Sequence, residues 1–162
     1  MLFLAKKKTK ICSANKIYVI GIRSSATLAD FLARNMNVIF DNVISLEAKS
    51  GSEVFEQMLS VSEKDVLIAI SFPRYSKRTL RAMKFASDRG AKVVALTDTE
   101  NSPLCRYADY TMTARSGMVS FADSLVAPLS LVNALIAALS IKEEKNVVKK
   151  LSDLEAVWEE YH

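Results

Sequence analysis

Short apolar segments alternate with helical patterns along most of this chain, and the alternation limits the folds it can adopt. The predicted helices follow four of the strands: residues 27–40, 52–60 and 76–88, then a helical turn at 102–109. Strands that are separated by single helices form parallel βαβ units with right-handed crossovers. We therefore predict an α/β fold, a three-layer sandwich with a five-stranded parallel sheet between helices. The predicted strands are residues 17–21, 42–46, 65–71, 92–97 and 110–113.

Two of the predicted strands end in loops of the same chemistry. The first loop reads Gly21-Ile-Arg-Ser-Ser25 and the second reads Ser71-Phe-Pro-Arg-Tyr-Ser76. A helix follows each loop, so unpaired N–H groups and the positive end of the helix dipole point to the strand ends. Because parallel sheets bind ligands at the carboxyl ends of their strands, we predict one anion pocket between the loops. The residues to which we assign binding roles are Arg23, Ser24, Ser25, Ser71, Arg74 and Ser76.

Each of these side chains also has a simpler interpretation. Ser25 and Ser76 stand where a helix needs an N-cap, and capping alone would select serine there. Arg23 and Arg74, taken one at a time, are compatible with ordinary surface residues. Two arginines at the ends of two central strands are nevertheless a coincidence that favours a binding site.

The charges of the chain are unevenly distributed. The 162 residues have a formal net charge of +4, and five lysines precede residue 17 with no acid among them. The chain from residue 17 onward therefore has a net charge of −1, which gives no reason to expect nucleic-acid binding by the folded body. We expect a basic N-terminal segment or linker stub at residues 1–16. A single domain, the most that this length supports, is expected at residues 17–162.

Cysteine and histidine usage limits the chemistry that the chain can support. Cys12 and Cys105 belong to no CxxC motif or Cys/His cluster, and free thiols in a reducing cytosol are expected. The one histidine is His162, which excludes a histidine-dependent triad within one chain and disfavours a zinc site. Residues 1–5 are too short for a signal segment. We predict a cytoplasmic protein without a metal or a cofactor.

The stretch from Val119 to Lys142 is apolar on almost every side. A membrane span needs about 20 apolar residues, and this shorter run has Asp123 at one end and charged residues directly after it. A helix that packs against its own sheet on one side and a second subunit on the other fits better. We expect a homodimer through residues 119–141 and no membrane contact. We also predict a last amphipathic helix at 149–161, with an apolar stripe that serves packing.

The order of these elements and their motifs resemble the sugar isomerase (SIS) domain. More narrowly, they resemble the SIS effector domain of RpiR-type bacterial transcription regulators. The resemblance runs from residue 17 to residue 158, and we adopt for the sheet the flavodoxin-like order 2-1-3-4-5. The motifs that carry the resemblance are Gly21–Ser25, Ala69–Ser76, Gly90–Thr97, Ser102–Leu104 with Ala108-Asp109, and Asp123–Pro128.

The resemblance implies a phosphosugar-binding domain. In SIS domains, a serine after the first strand and the hydroxyls of an SxSGxT loop after the third strand hold the phosphate. By position, Ser25 matches the first serine, and Ser71 and Ser76 match the ends of the second loop. The chain departs from the pattern at Pro73, where serine is expected, and at Arg74, where glycine is expected. A guanidinium can bind phosphate bidentately, so we expect Arg74 to compensate.

The resemblance also implies a task, which is to bind a sugar phosphate and pass the bound state to a DNA-binding helix-turn-helix. Fewer than twenty residues precede the first predicted strand, so we expect DNA contact only through a helix-turn-helix domain that this sequence lacks. The alternative is a sugar-phosphate aldose/ketose isomerase, which needs a base over the sugar. We assign no catalytic residue, and Glu47 and Glu53 are the only candidates. A purely structural dimerisation module is a third alternative.

Overall fold

The computed structural model describes residues 10–47, 52–117 and 124–161. Five strands form one sheet: β1 (Ile17–Gly21), β2 (Val43–Ser45), β3 (Val66–Ile70), β4 (Lys92–Thr97) and β5 (Tyr110–Thr113). Their order across the sheet is β2-β1-β3-β4-β5, and every neighbouring pair is parallel. The predicted α/β sandwich and its strand order are confirmed.

Helices cover both faces of the sheet. In chain order they are α1 (Ser24–Ile39), α2 (Glu53–Gln57), α3 (Lys77–Asp88), a 3-10 helix (Pro103–Arg106), α4 (Val126–Lys142) and α5 (Glu144–Tyr161). The apolar sides of α1 and α4 pack on one face of the sheet. Those of α2, α3 and the 3-10 helix pack on the other.

The central strand β3 explains why the sheet holds two cores. Val66, Ile68 and Ile70 point to the side of α1 and α4, whereas Leu67 and Ala69 point to the side of α2 and α3. All five residues are buried, because a parallel strand with helices on both faces has no side that contacts water. The continuous apolar run in the sequence follows from this placement.

Residues in front of β1 contribute to the packed body. Ile11 is 1 % exposed and lies in the same core cluster as β1 and α1. The N–H of Asn15 donates to the carbonyl oxygen of Lys64 at 2.8 Å. Of the basic segment predicted at residues 1–16, residues 1–9 lie outside the described part of the chain. The domain boundary at residue 17 stays a prediction.

The two C-terminal helices present apolar side chains outward. In α4 one side is buried, whereas Val126 and Ile141 are 76 % and 77 % exposed. Residues 119–123 of the apolar stretch lie outside the described residues. Helix α5 begins five residues earlier than predicted and buries none of its residues, so its apolar stripe does not pack within this chain as we had expected. In the described part no single helix could span a membrane; α4 and α5 together have the length and composition, but the chain bends by 96° between them.

Candidate functional site

A cleft of about 800 Å³ lies at the carboxyl ends of β1 and β3. Residues 22–25 form one wall and residues 71–78 form the other. The structure therefore brings together the two loops that the sequence analysis placed in one pocket. The predicted binding residues that line this cleft are Arg23, Ser24, Ser25, Ser71, Arg74 and Ser76.

Two buried hydroxyl groups lie at the inner end of the cleft. Ser25 and Ser71 are each 4 % exposed. The Ser71 hydroxyl accepts a hydrogen bond from the N–H of Ser76 at 3.2 Å, which ties the end of β3 to the start of α3. Within the described part of the chain, the Ser25 hydroxyl makes no hydrogen bond. Ser25 can therefore donate its proton to an anion without breaking an existing contact.

The structure decides between the capping and binding interpretations of the two serines. Ser76 is the N-cap of α3, and its hydroxyl accepts a hydrogen bond from the N–H of Thr79 at 3.4 Å. Ser25 is not a cap, because α1 begins at Ser24 and its N-cap position is Arg23, which makes no side-chain cap bond. Capping thus accounts for Ser76 and leaves Ser25 without a structural role at the helix end.

Gly21 allows the first turn of α1 to lie close to the end of β1. A Cβ atom at Gly21 would stand 2.2 Å from the carbonyl oxygen of Ser25 and 2.9 Å from the Cβ of Ala29. Any side chain at this position would push the first turn of α1 away from the strand. The glycine therefore places the Ser25 hydroxyl at the inner end of the cleft.

Both arginines of the cleft hold strained backbone conformations. Arg23 has φ 60° and ψ −127°, and Arg74 has φ 66°. In the described ranges they are the two non-glycine residues with positive φ, a conformation that costs about 1–3 kcal/mol. Arg74 stands where the SIS pattern has glycine, and its backbone has the conformation that glycine favours. Such strain persists where the surrounding structure maintains it, and it concentrates at ligand-binding sites.

The second loop is tied to the neighbouring strand by a residue that the sequence analysis missed. The phenol of Tyr75 donates a hydrogen bond of 2.7 Å to Oδ1 of Asp98, which directly follows β4. Burial, together with this bond to the Asp98 carboxylate, raises the pKa of Tyr75 to about 12. The contact joins residues 23 positions apart, so no local sequence signal could have indicated it.

The two glutamates considered as catalytic candidates are not brought into this cleft. Glu47 lines a second cleft of about 540 Å³, formed with Asp30, Arg34 and Ser45 beside α1 and β2. Glu53 is the first residue of α2 and lines neither cleft. Among the described residues, no group of three or more His, Cys, Asp and Glu side chains could hold a metal ion. His162 lies outside the described residues.

Comparison with known proteins identifies the family. A profile of the SIS domain matches residues 10–138, which is most of the chain. The chain belongs to the SIS domain family. An HTH-type transcriptional regulator of Clostridium perfringens is 29 % identical to this SIS domain over 120 residues, which cover 73 % of the chain and 42 % of the regulator. One from Haemophilus influenzae is 33 % identical over 101 residues, 61 % of the chain and 34 % of that regulator. The chain thus spans less than half the length of these curated relatives.

Solved structures agree with this assignment. The sugar isomerase domain of an RpiR transcription factor from Sphaerobacter thermophilus superposes with a TM-score of 0.88 at 28 % identity, covering 96 % of this SIS domain and 86 % of that chain. The Vibrio vulnificus NanR protein, complexed with ManNAc-6P, superposes with a TM-score of 0.81 at 22 % identity, covering 96 % and 61 %. The resemblance to SIS domains and RpiR-type regulators that the motifs predicted is confirmed.

Proposed function

We propose that this SIS domain binds a sugar phosphate in the cleft between β1 and β3 and is the effector-sensing part of an RpiR-type transcription regulator. One observation carries the proposal. Two buried hydroxyls, Ser25 and Ser71, and two strained arginines, Arg23 and Arg74, converge on one cleft at the ends of two parallel strands. Hydroxyl donors, guanidinium groups and helix N-termini are the groups that bind phosphate.

The phosphate is expected to lie near the inner end of the cleft. There it would accept hydrogen bonds from the hydroxyls of Ser25 and Ser71, with the guanidinium of Arg74 above it. Hydrogen bonds to a charged group contribute roughly 1.5–3 kcal/mol each before desolvation is subtracted. The phosphate would therefore supply most of the affinity, and the rest of the sugar would select among phosphates.

The relatives supply the biological setting of the proposal. NanR is complexed with ManNAc-6P, and an Escherichia coli chain of the same fold is in complex with A5P, so this fold accommodates sugar phosphates of different size. The curated HTH-type regulators are more than twice as long as the part this chain matches. In the complete regulator, DNA contact would belong to the helix-turn-helix domain. A cytoplasmic location is part of the same proposal.

A homodimer through residues 119–141 completes the proposal. The outward side of α4 carries Val126 and Ile141, and the adjoining helix α5 exposes Leu151, Val157 and Trp158. A monomer would leave these apolar side chains in water, and contiguous patches of this kind mark interaction surfaces. A second copy of the chain, related by a twofold axis, would cover the same patch on both subunits.

An isomerase activity has less support than the sensor. Proton transfer between adjacent sugar carbons needs a base within hydrogen-bond reach of the substrate. Glu47 lines the other cleft, and Glu53 lines neither. We expect no aldose–ketose interconversion when the protein is incubated with hexose and pentose phosphates. Turnover that disappears in Glu47→Gln or Glu53→Gln would establish the isomerase instead.

Thermal unfolding with and without ligand tests the proposal directly. At a ligand concentration about 100-fold above Kd, binding adds ~2.7 kcal/mol to the free energy of unfolding. For a domain of this size the melting temperature would rise by roughly 5–10 °C. A sugar phosphate should produce this rise, and the same sugar without its phosphate should not. If no compound in a broad panel of sugar phosphates moves the melting temperature, the proposed site is wrong.

A further inference from the structure

The cleft contains more positive charge than one phosphate requires. Four cationic side chains line it, and the lining residues include no carboxylate. A phosphate monoester carries about −1.5 to −2 charges at neutral pH. The charge of the lining therefore exceeds that of one bound phosphate by about two. The four cations are Arg23, Arg74, Lys77 and Arg78.

This positive charge is local to the cleft. The chain from residue 17 onward has a net charge of −1, because all 18 acids and 17 of the 22 lysines and arginines lie there. A generally basic surface would place cations in every depression, but this body is close to neutral. Four cations in one cleft are thus a property of the cleft, and they create a local potential that attracts anions.

The hydroxyls and the cations lie at different depths. Ser25 and Ser71 are buried at the inner end, whereas the four cationic residues are exposed. Lys77 and Arg78 are the first two residues of α3, just past the Ser76 cap. A phosphate held by the buried hydroxyls would thus leave cations at the outer edge facing the remainder of the ligand.

We propose that the ligand is a sugar phosphate with a second anionic group, a carboxylate or a second phosphate, and that Lys77 and Arg78 bind this second group. The inference rests on the proposed function, because the first phosphate must occupy the inner end of the cleft. Each exposed ion pair contributes modestly and is weakened by salt. The second group therefore selects among sugar phosphates and is not the main source of affinity.

Calorimetric titration of the wild-type chain with two matched pairs of compounds tests this. The first pair is 6-phosphogluconate and sorbitol 6-phosphate, which are both open-chain and differ by one carboxylate. The second pair is fructose 1,6-bisphosphate and fructose 6-phosphate. In at least one pair we expect the more anionic compound to have a Kd about threefold to tenfold lower at low salt. That ratio should shrink at high ionic strength, where exposed charges are screened.

Three variants on one helix identify the residues responsible. Lys77→Ala and Arg78→Ala should each reduce the preference for the more anionic compound. Arg81→Ala removes another exposed cation of α3 that does not line the cleft, and it should leave the preference intact. Equal affinities within both pairs would overturn the inference while leaving the proposed function standing. A preference that survives both cleft variants, or that Arg81→Ala abolishes equally, would also overturn it. If no compound of either pair binds, the proposed function and this inference both fail.

Discussion

Arg23 and Arg74 line the same cleft from opposite walls, and both have positive φ angles, 60° and 66°. Each replaces easy backbone geometry with strain, since glycine adopts such angles at no steric cost. An unliganded domain gains nothing from an arginine at either position. The strain is consistent with guanidinium groups retained for an anion at the ends of β1 and β3.

Substitutions of Arg74 separate the backbone strain from the charge. Arg74→Ala keeps the positive φ and removes the guanidinium, whereas Arg74→Gly removes both the strain and the guanidinium. We expect the glycine variant to be more stable than the alanine variant by about 1 kcal/mol in urea unfolding. Both should show a reduced ligand-induced rise in melting temperature. Equal stability of the two variants would contradict the strained conformation, and an undiminished rise would contradict the binding role.

Ser71 and Ser102 distinguish a binding hydroxyl from a structural one. The Ser102 hydroxyl accepts hydrogen bonds from Thr97 Oγ1 at 2.9 Å and from the N–H of Leu104 at 3.3 Å, capping the 3-10 helix outside the cleft. Ser102→Ala should lower the free energy of unfolding by about 0.5–2 kcal/mol and leave the ligand-induced melting shift intact. Ser71→Ala should reduce that shift by a larger fraction than it lowers stability. The reverse pattern, measured by thermal unfolding with a sugar phosphate, would move the site elsewhere.

The Tyr75–Asp98 hydrogen bond predicts a pH dependence of stability. Because the pKa of Tyr75 rises from 10.0 to about 12 on folding, the folded state holds this proton more tightly than the unfolded state. The contribution is complete below pH 10 and is lost as the pH rises from 10 towards 12. Tyr75→Phe should be less stable than wild type by about 1 kcal/mol at pH 8. The difference should shrink above pH 10 in urea unfolding.

Cys12 needs a control in the same experiment. Burial is the main cause that raises the pKa of the Cys12 thiol from 9.0 to about 11, and the side-chain hydrogen bond to Glu143 adds to it. Its contribution to stability is therefore lost between about pH 9 and pH 11. Cys12→Ala should remove that loss without changing the behaviour of Tyr75→Phe above pH 10. A difference between Tyr75→Phe and wild type that stays constant from pH 8 to pH 11 would contradict the role of the Tyr75–Asp98 contact.

Charge substitutions on α4 test the proposed dimer. Sedimentation velocity of the wild-type chain at micromolar concentration should show a dimer, and Ile141→Lys should shift it towards monomer. Leu59→Lys places the same charge on a residue that is 73 % exposed on the other side of the sheet sequence order, after α2, and should not affect association. Leu135 is 1 % exposed within the chain's own core, so Leu135→Ala should instead cost about 2–5 kcal/mol of stability. A well-folded wild-type monomer would refute the dimer.

Much of the fold could be predicted because its signals are local. The bounds of β4 and β5 agree with the prediction at both ends, since a buried parallel strand requires a continuous apolar run that stops where the chain leaves the sheet. The start of α1 was predicted three residues too late. The positive φ of Arg23 turns the chain directly into the helix, and a left-handed arginine has no signature in the sequence.

The candidate site was predicted from its chemistry, and the structure added its geometry. Strand ends in a parallel sheet meet at one edge, so Ser25 and Ser71 could be placed together from topology alone. Which serine caps a helix depended on where α1 begins. The separation of Glu47 from the cleft depended on how α1 lies beside β2. Both are results of packing between segments distant in sequence.

The sequence by itself determined the layered fold, the order of its elements and the family, because apolar periodicity and short motifs are written along the chain. Tertiary structure alone decided the strain at Arg23 and Arg74, the contact of Tyr75 with Asp98, and the concentration of four cations in one cleft. It also decided which side of α4 stays exposed, since α4 is apolar on nearly every side and its pattern marks no inner face. The physical reason is the same in each case: local pattern selects secondary structure, but contacts between distant segments set side-chain exposure and backbone strain.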